Sequence, residues 1–195
     1  MNVINTNISA LKAANAGNQA SKSLGVAMER LSTGKRINSA KDDAAGLAIA
    51  TSMTSNIKGM NQAIRNSNDG ISLAQTADGA LNEVTNMLQR IRELSVQSAS
   101  GTYSDDDRAY LQAEVAELGA QIDDVIANTK FNGNAVFGSA DVTFDIQTGS
   151  NSADTVTLTV TGLDLSAATA SDIATAAGAT TAMDDVDTAL GAVAT

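Results

Sequence analysis

From Met53 to Leu94 the apolar residues recur at steps of three and four. Met53, Ile57, Met60, Ile64, Ile71, Ala74, Leu81, Val84, Leu88, Ile91 and Leu94 make up the series, with Ser67 and Asp78 in its two gaps. A seam repeating near every 3.5 residues calls for a long helix packed along a partner. The stretch up to about Ala99 therefore reads as one helix of about 60 residues, reaching roughly 90 Å at 1.5 Å per residue. A compact domain would be far shorter, so the expected fold is mainly α, an elongated antiparallel helical rod or coiled-coil bundle. Proline, which breaks helix interiors, is absent from all 195 residues. Asp69-Gly70 and Asp78-Gly79 could mark hairpin turns, but the flanks keep the helical period and favour an unbroken helix.

The remaining segments fit around this helix. Residues 3 to 31 read as a first helix, with Ile4, Ile8, Leu11, Leu24, Met28 and Leu31 as its apolar stripe and Ala14, Gly17 and Ala20 holding the thin middle. Gly34 follows as its C-terminal stop, with Lys35 and Arg36 beside the negative helix end. A helix so sparsely apolar is marginal alone and calls for a partner. Ser39 and Asp42 have the spacing of a capping box opening the long helix. Ser104 and Asp107 repeat that spacing before a third helix to about Asn128, carried by Leu111, Val115, Leu118, Ile122 and Val125. The short link at Gly101 makes helices two and three antiparallel neighbours.

After the turn at Asn132-Gly133-Asn134 the period falls to two. Val142, Phe144 and Ile146 alternate with polar residues, as do Val156, Leu158 and Val160, so a small β-hairpin with a long loop at 148–154 is expected. A Ser/Thr/Ala-rich stretch then leads to Met183, Val186, Leu190 and Val193, the start of a fourth helix whose apolar face still runs where the sequence stops. That ending suggests a fragment.

Composition removes several functions. There is no His and no Cys, so the commonest general base, the commonest metal ligand and thiol chemistry are missing. The net charge of −10 disfavours nucleic acid, which needs a positive footprint. No apolar run approaches the roughly 20 residues of a membrane span, and no cleavable leader is visible. Asp105-Asp106-Asp107 makes a poor cation cage, because consecutive helical residues point apart; charge complementing a helix N-terminus explains it. Asp184, Asp185 and Asp187 read the same way, and Arg90, Arg92 and Glu93 read as a solvated face. An enzyme is not expected, nor a cofactor.

The strings Asn5-Thr6-Asn7-Ile8-Ser9-Ala10-Leu11, Leu31 through Ala50 (LSTGKRINSAKDDAAGLAIA), Gln89 through Ala99 (QRIRELSVQSA) and Thr129-Lys130-Phe131-Asn132-Gly133 resemble the N-terminal signature of bacterial flagellin. The resemblance covers about residues 1 to 160, with a weaker echo at 183 to 195. It implies a structural subunit that polymerises with its own kind into the extracellular flagellar filament for motility. Residues 1–42 would be the filament-core helix and spoke. Residues 43–178 would be the rod, with two long helices and the hairpin, and residues 179–195 the start of a return helix whose remainder is missing. The implied partners are further flagellin subunits, the flagellar export apparatus, and hook-associated and cap proteins.

The resemblance also implies contact with an animal Toll-like receptor through Leu88, Gln89, Arg90, Arg92, Leu94, Gln97 and Glu114. Leu118 departs from the Arg that receptor-activating relatives often carry. A hook-filament junction protein is the nearest alternative, since it shares the first helix pattern. A surface binding module is the alternative from another class.

Overall fold

The computed structural model describes residues 7–194 and divides into two compact units, Met1–Lys58 and Gly59–Thr195. Its elements are α1 (Ile8–Thr33), α2 (Ala44–Ala99), α3 (Asp105–Asn128), β1 (Lys130–Phe131), β2 (Asn134–Ala135), β3 (Val142–Gln147), β4 (Thr155–Val160), α4 (Ser166–Thr169) and α5 (Ala176–Val193). The expected mainly α class with a hairpin is what the chain adopts. Ile4 lies outside the described residues.

In the first unit, α1 opens at Asn7, whose side-chain oxygen accepts the Ala10 N–H at 3.1 Å. It closes at Gly34, where φ is 66° and the N–H returns to the Arg30 carbonyl. That left-handed position is the reason a glycine stands there. The connector folds back on the helix end: the Asn38 amide donates to Thr33 Oγ1 at 2.9 Å and to Glu29 Oε1 at 3.3 Å. Ser39 and Asp42 do not cap α2, contrary to the sequence expectation. The Asp42 carboxylate instead accepts the N–H groups of Asn38 and Ser39, closing a turn before the helix. Asp43 is the true cap, with its carboxylate on the Gly46 N–H at 2.8 Å. A side-chain oxygen three residues ahead of an orphan helical N–H satisfies it, and Asp43 stands at that distance.

In the second unit, α2 is buried along Ala63, Gly70, Ala77, Val84, Ile91 and Ser98, a repeat of seven, with Leu73, Leu88, Leu94 and Ser95 beside it. This corrects the seam read from sequence. Val84, Leu88, Ile91 and Leu94 belong to it, but Met60, Ile64 and Ile71 are 57%, 61% and 56% exposed. The buried positions in that stretch are small because hairpin side chains, Ile146 above all, fill the space beside them. A Cβ on Gly70 would overlap Ile146 Cδ1, and one on Gly59 would stand 3.0 Å from Ser150 Cβ. The Asn66 amide donates to the Gln147 carbonyl at 3.1 Å across the same contact. Gly70 and Gly79 both lie inside continuous helix, as the period indicated.

α3 begins at the expected capping box, with Ser104 Oγ accepting the Asp107 N–H and Asp107 Oδ2 accepting the Ser104 N–H. It runs antiparallel to α2, placing Arg108 against the last carbonyls of α2 and Glu114 against Arg90. Arg108 is 6% exposed and donates to the Ser98 and Ser100 carbonyls at 3.0 and 3.1 Å. β3 and β4 pair antiparallel from Val142↔Val160 to Gln147↔Thr155. Asn132-Gly133 turns a second, minimal hairpin, with Lys130↔Ala135 and Phe131↔Asn134 in register.

The stretch after β4 carries more structure than its composition announced. Leu163, Leu165, Ala168 and Ile173 are buried, and α4 forms within it. Gln112 grips this segment with both ends of its amide: Nε2 donates to the Ser171 carbonyl and Oε1 accepts the Ile173 N–H at 2.6 Å. Ser98 Oγ donates to the Ile173 carbonyl. α5 starts seven residues before Met183, capped by Thr175 on the Gly178 N–H. It lies antiparallel to α2, with Ala179, Ala182, Val186 and Ala189 completing a core with Val84, Leu88, Ile91, Leu94, Val115 and Ile122.

Candidate assembly surfaces

α1 buries nothing along its 26 residues. Ile8, Leu11, Leu24, Met28 and Leu31 are 61%, 54%, 65%, 61% and 80% exposed. Their arrangement differs from a single stripe. At 3.6 residues per turn, the step from Leu11 to Leu24 leaves the two groups roughly 140° apart around the axis. Leu24, Met28 and Leu31 share one face with Ala13, Gly17 and Ala20, while Ile8 and Leu11 look elsewhere. Such a helix presents apolar surface in two directions, which one partner helix cannot cover. Still within the first unit, Ile49, Met53 and Ile57 on α2 are also more than half exposed.

The second candidate surface lies on the helical part of the second unit. Gln89, Arg90, Arg92 and Glu114 are exposed and Gln97 is half-buried. Leu88 and Leu94 are not available: they are 0% and 1% exposed, facing α3 and α5 in the core. They fall on the inward side of the seven-residue repeat, so no partner reaches them in the folded chain. Arg90 Nη1 meets Glu93 Oε2 at 2.9 Å and Arg90 Nε meets Glu114 Oε1 at 2.9 Å. Arg92 binds both carboxylate oxygens of Asp187, at 2.7 and 3.2 Å. The hydrogen bonds to Glu114 and Glu93 raise the Arg90 pKa, and the one to Asp187 raises that of Arg92. Asp187 is lowered in turn by Arg92. These exposed pairs fix side-chain direction more than they stabilise the fold. Asp187 stands 95 positions from Arg92, and nothing local in the sequence could have paired them.

Among the described residues no three of His, Cys, Asp and Glu converge on a point where a metal could bind. No buried side-chain nitrogen or oxygen among them lacks a hydrogen-bond partner. No described helix is long and apolar enough to cross a membrane.

Residues 4–141 match the family model described as the bacterial flagellin N-terminal helical region. The chain is 53% identical over 163 residues to phase 1 flagellin of Salmonella naestved, covering 84% of this chain and 32% of that protein. It is 55% identical over 154 residues to flagellin of Salmonella muenchen, covering 79% and 30%. The chain thus spans about a third of the length of these curated relatives. Among solved structures, Bacillus cereus flagellin superposes with a TM-score of 0.56 at 29% identity, over 67% of this chain and 77% of that one.

Proposed function

Because this chain belongs to the bacterial flagellin family, we propose that it is a structural subunit of the extracellular flagellar filament, held in the polymer by α1. The observation that carries this reading is the exposure of Ile8, Leu11, Leu24, Met28 and Leu31 of that helix, on two faces. Surface of that kind is stabilised only by association, and two faces suit a lattice in which each helix meets several neighbours. The exposed residues of α2, Ile49, Met53 and Ile57 in the first unit and Met60, Ile64 and Ile71 in the second, supply further contact area. Identity to flagellins across most of the chain favours this reading over a hook-filament junction protein or a surface binding module.

The same reading assigns residues 1–42 to the filament core, 43–178 to the outer rod and 179–195 to the start of a return helix. It takes the flagellar export apparatus and the hook-associated and cap proteins as further partners. Receptor contact, where it occurs, falls to Gln89, Arg90, Arg92, Gln97 and Glu114, since Leu88 and Leu94 are enclosed. The test is seeded filament growth of the full-length protein carrying Leu24→Ser, Met28→Ser and Leu31→Ser, followed by electron microscopy. Growth should stop while the second unit melts unchanged. Filaments that elongate at the native rate would refute the assignment of α1.

A further inference from the structure

Three glycines follow an acidic or amide residue of the Asx type: Gly70, Gly79 and Gly133. Asp69-Gly70 and Asp78-Gly79 sit inside α2, where the main chain is held helical and its N–H groups are bonded within the helix. Asn132-Gly133 is different. It forms the two-residue loop between β1 and β2, with φ of 49° and 86°. Two positive values are the signature of a type I′ turn. Both residues are exposed, and nothing lies within 4 Å of the place a Gly133 Cβ would occupy.

The Asn132 carboxamide makes no hydrogen bond among the described residues. The amides of Asn38, Asn66, Asn82 and Asn151 are all engaged.

We propose that Asn132 is the principal site of spontaneous deamidation in this protein. The Gly133 backbone nitrogen loses its proton to base and attacks Asn132 Cγ. The new N–Cγ bond forms as the Cγ–Nδ2 bond breaks, and ammonia leaves. The resulting cyclic imide takes up one water at either of its carbonyls and opens to aspartate or isoaspartate. No oxidant or cofactor enters. Glycine is the residue that least obstructs the attack, having no Cβ beside the nitrogen. The turn must open for the two atoms to meet, and a hairpin of two residues per strand, with only Phe131 half-buried among the four, opens easily.

The two products differ in consequence. Aspartate adds a charge and keeps the chain length of the loop. Isoaspartate inserts an extra methylene into the main chain of a turn that tolerates only two residues at positive φ. The register Lys130↔Ala135 is then lost. Immediately beyond it stand Val136 and Phe137, 0% and 4% exposed, packed with Ala77 and Leu163. Val136 also donates its N–H to the Thr129 carbonyl across the base of this hairpin. Isoaspartate formation therefore loosens the join between the hairpin and the second core cluster.

The experiment is timed incubation of the intact protein in mildly alkaline buffer, with peptide mapping by electron-transfer fragmentation to separate aspartate from isoaspartate. Asn132 should convert several-fold faster than any other asparagine. Conversion of another asparagine at an equal or greater rate would overturn the proposal. The aged isoaspartyl fraction should also melt below fresh protein, while Asn132→Asp, which has the charge without the methylene, melts with it. Equal melting of the isoaspartyl fraction and Asn132→Asp would overturn the structural consequence.

Discussion

Two helical glycines of the second unit should respond to the same substitution with opposite signs. Gly79 lies in α2 with nothing within 4 Å of an added Cβ. Alanine there recovers the helix propensity that glycine lacks, about 1 kcal/mol. Gly119 lies in α3 and is buried. A methyl there would overlap the Thr169 carbonyl oxygen and stand 3.1 and 3.3 Å from the Thr169 carbonyl carbon and Cα. These are backbone atoms at the end of α4, so no rotamer change relieves the collision. The segment must retreat, and it carries Leu165, Ala168 and Ile173 into the core and accepts the Gln112 clamp.

Overpacking of this kind costs about 1–3 kcal/mol, which outweighs the propensity gain. For a chain of this size 1 kcal/mol moves Tm by about 2–4 °C. Scanning calorimetry should therefore place Gly79→Ala about 2–4 °C above the parent and Gly119→Ala below it, by up to about 4–8 °C where about 2 kcal/mol remains after the propensity gain. If Gly119→Ala melts at or above the parent, the segment does not lie where the geometry puts it. A fall for Gly79→Ala would mean that a covered surface had been mistaken for an open one.

Two further outcomes follow from polar contacts. Arg108→Met keeps the buried stem but strips the Ser98 and Ser100 carbonyls of their charged donor, and urea unfolding should show a loss of about 2–4 kcal/mol; a loss under half a kilocalorie would mean water replaces the guanidinium freely. The Asp107 carboxyl is held below its ordinary value of 3.8 first by the Ser104 hydroxyl and then by the Ser104 N–H. A carboxylate with a lowered folded pKa contributes stability that is present above its unfolded pKa and lost as pH falls through the folded one. The Tm advantage of the parent over Asp107→Ala should therefore hold near neutrality and shrink below about pH 4; an advantage that persists unchanged in acid would assign the cap to Ser104 alone.

What could be read from sequence was whatever rested on large apolar residues at regular steps or on turn chemistry. Val115 and Ile122 located α3, Ser104 its start, and Val142 to Ile146 the hairpin. Gly34 marked its own left-handed stop. The stretch from Leu163 to Ile173 was not legible, because its five buried residues follow no period and the segment is fixed by Gln112 and Ser98 from other helices. The first turns of α5 were missed for a related reason. Ala179 and Ala182 are fully enclosed, yet alanine carries little hydrophobic signal. Arg90, Arg92 and Glu93, read as a solvated face from their charge, are exposed. Leu88 and Leu94, which the resemblance assigns to the receptor, belong to the seam that the periodicity itself marks, and they are enclosed.

The reading of α2 went astray at one particular place, and the reason bears on function. Its buried line begins with Ala63, Gly70 and Ala77 and only then turns to Val84 and Ile91. Gly70 faces the hairpin where the Ile146 side chain leaves no room for a Cβ. The large residues one position further on, Ile64 and Ile71, are left outside. A periodicity count follows the large residues and so traces the wrong side of this half of the helix. In a chain that needed only its own core, such residues would be replaced by polar ones at little cost to folding. They are instead spaced at four and seven from Met60 to Ile71, so the second unit carries two helical seams on one helix, one covered within the chain and one exposed. The second seam is left exposed at Met60, Ile64 and Ile71, and α1, with no buried residue, leaves its large apolar residues uncovered in the first unit in the same way.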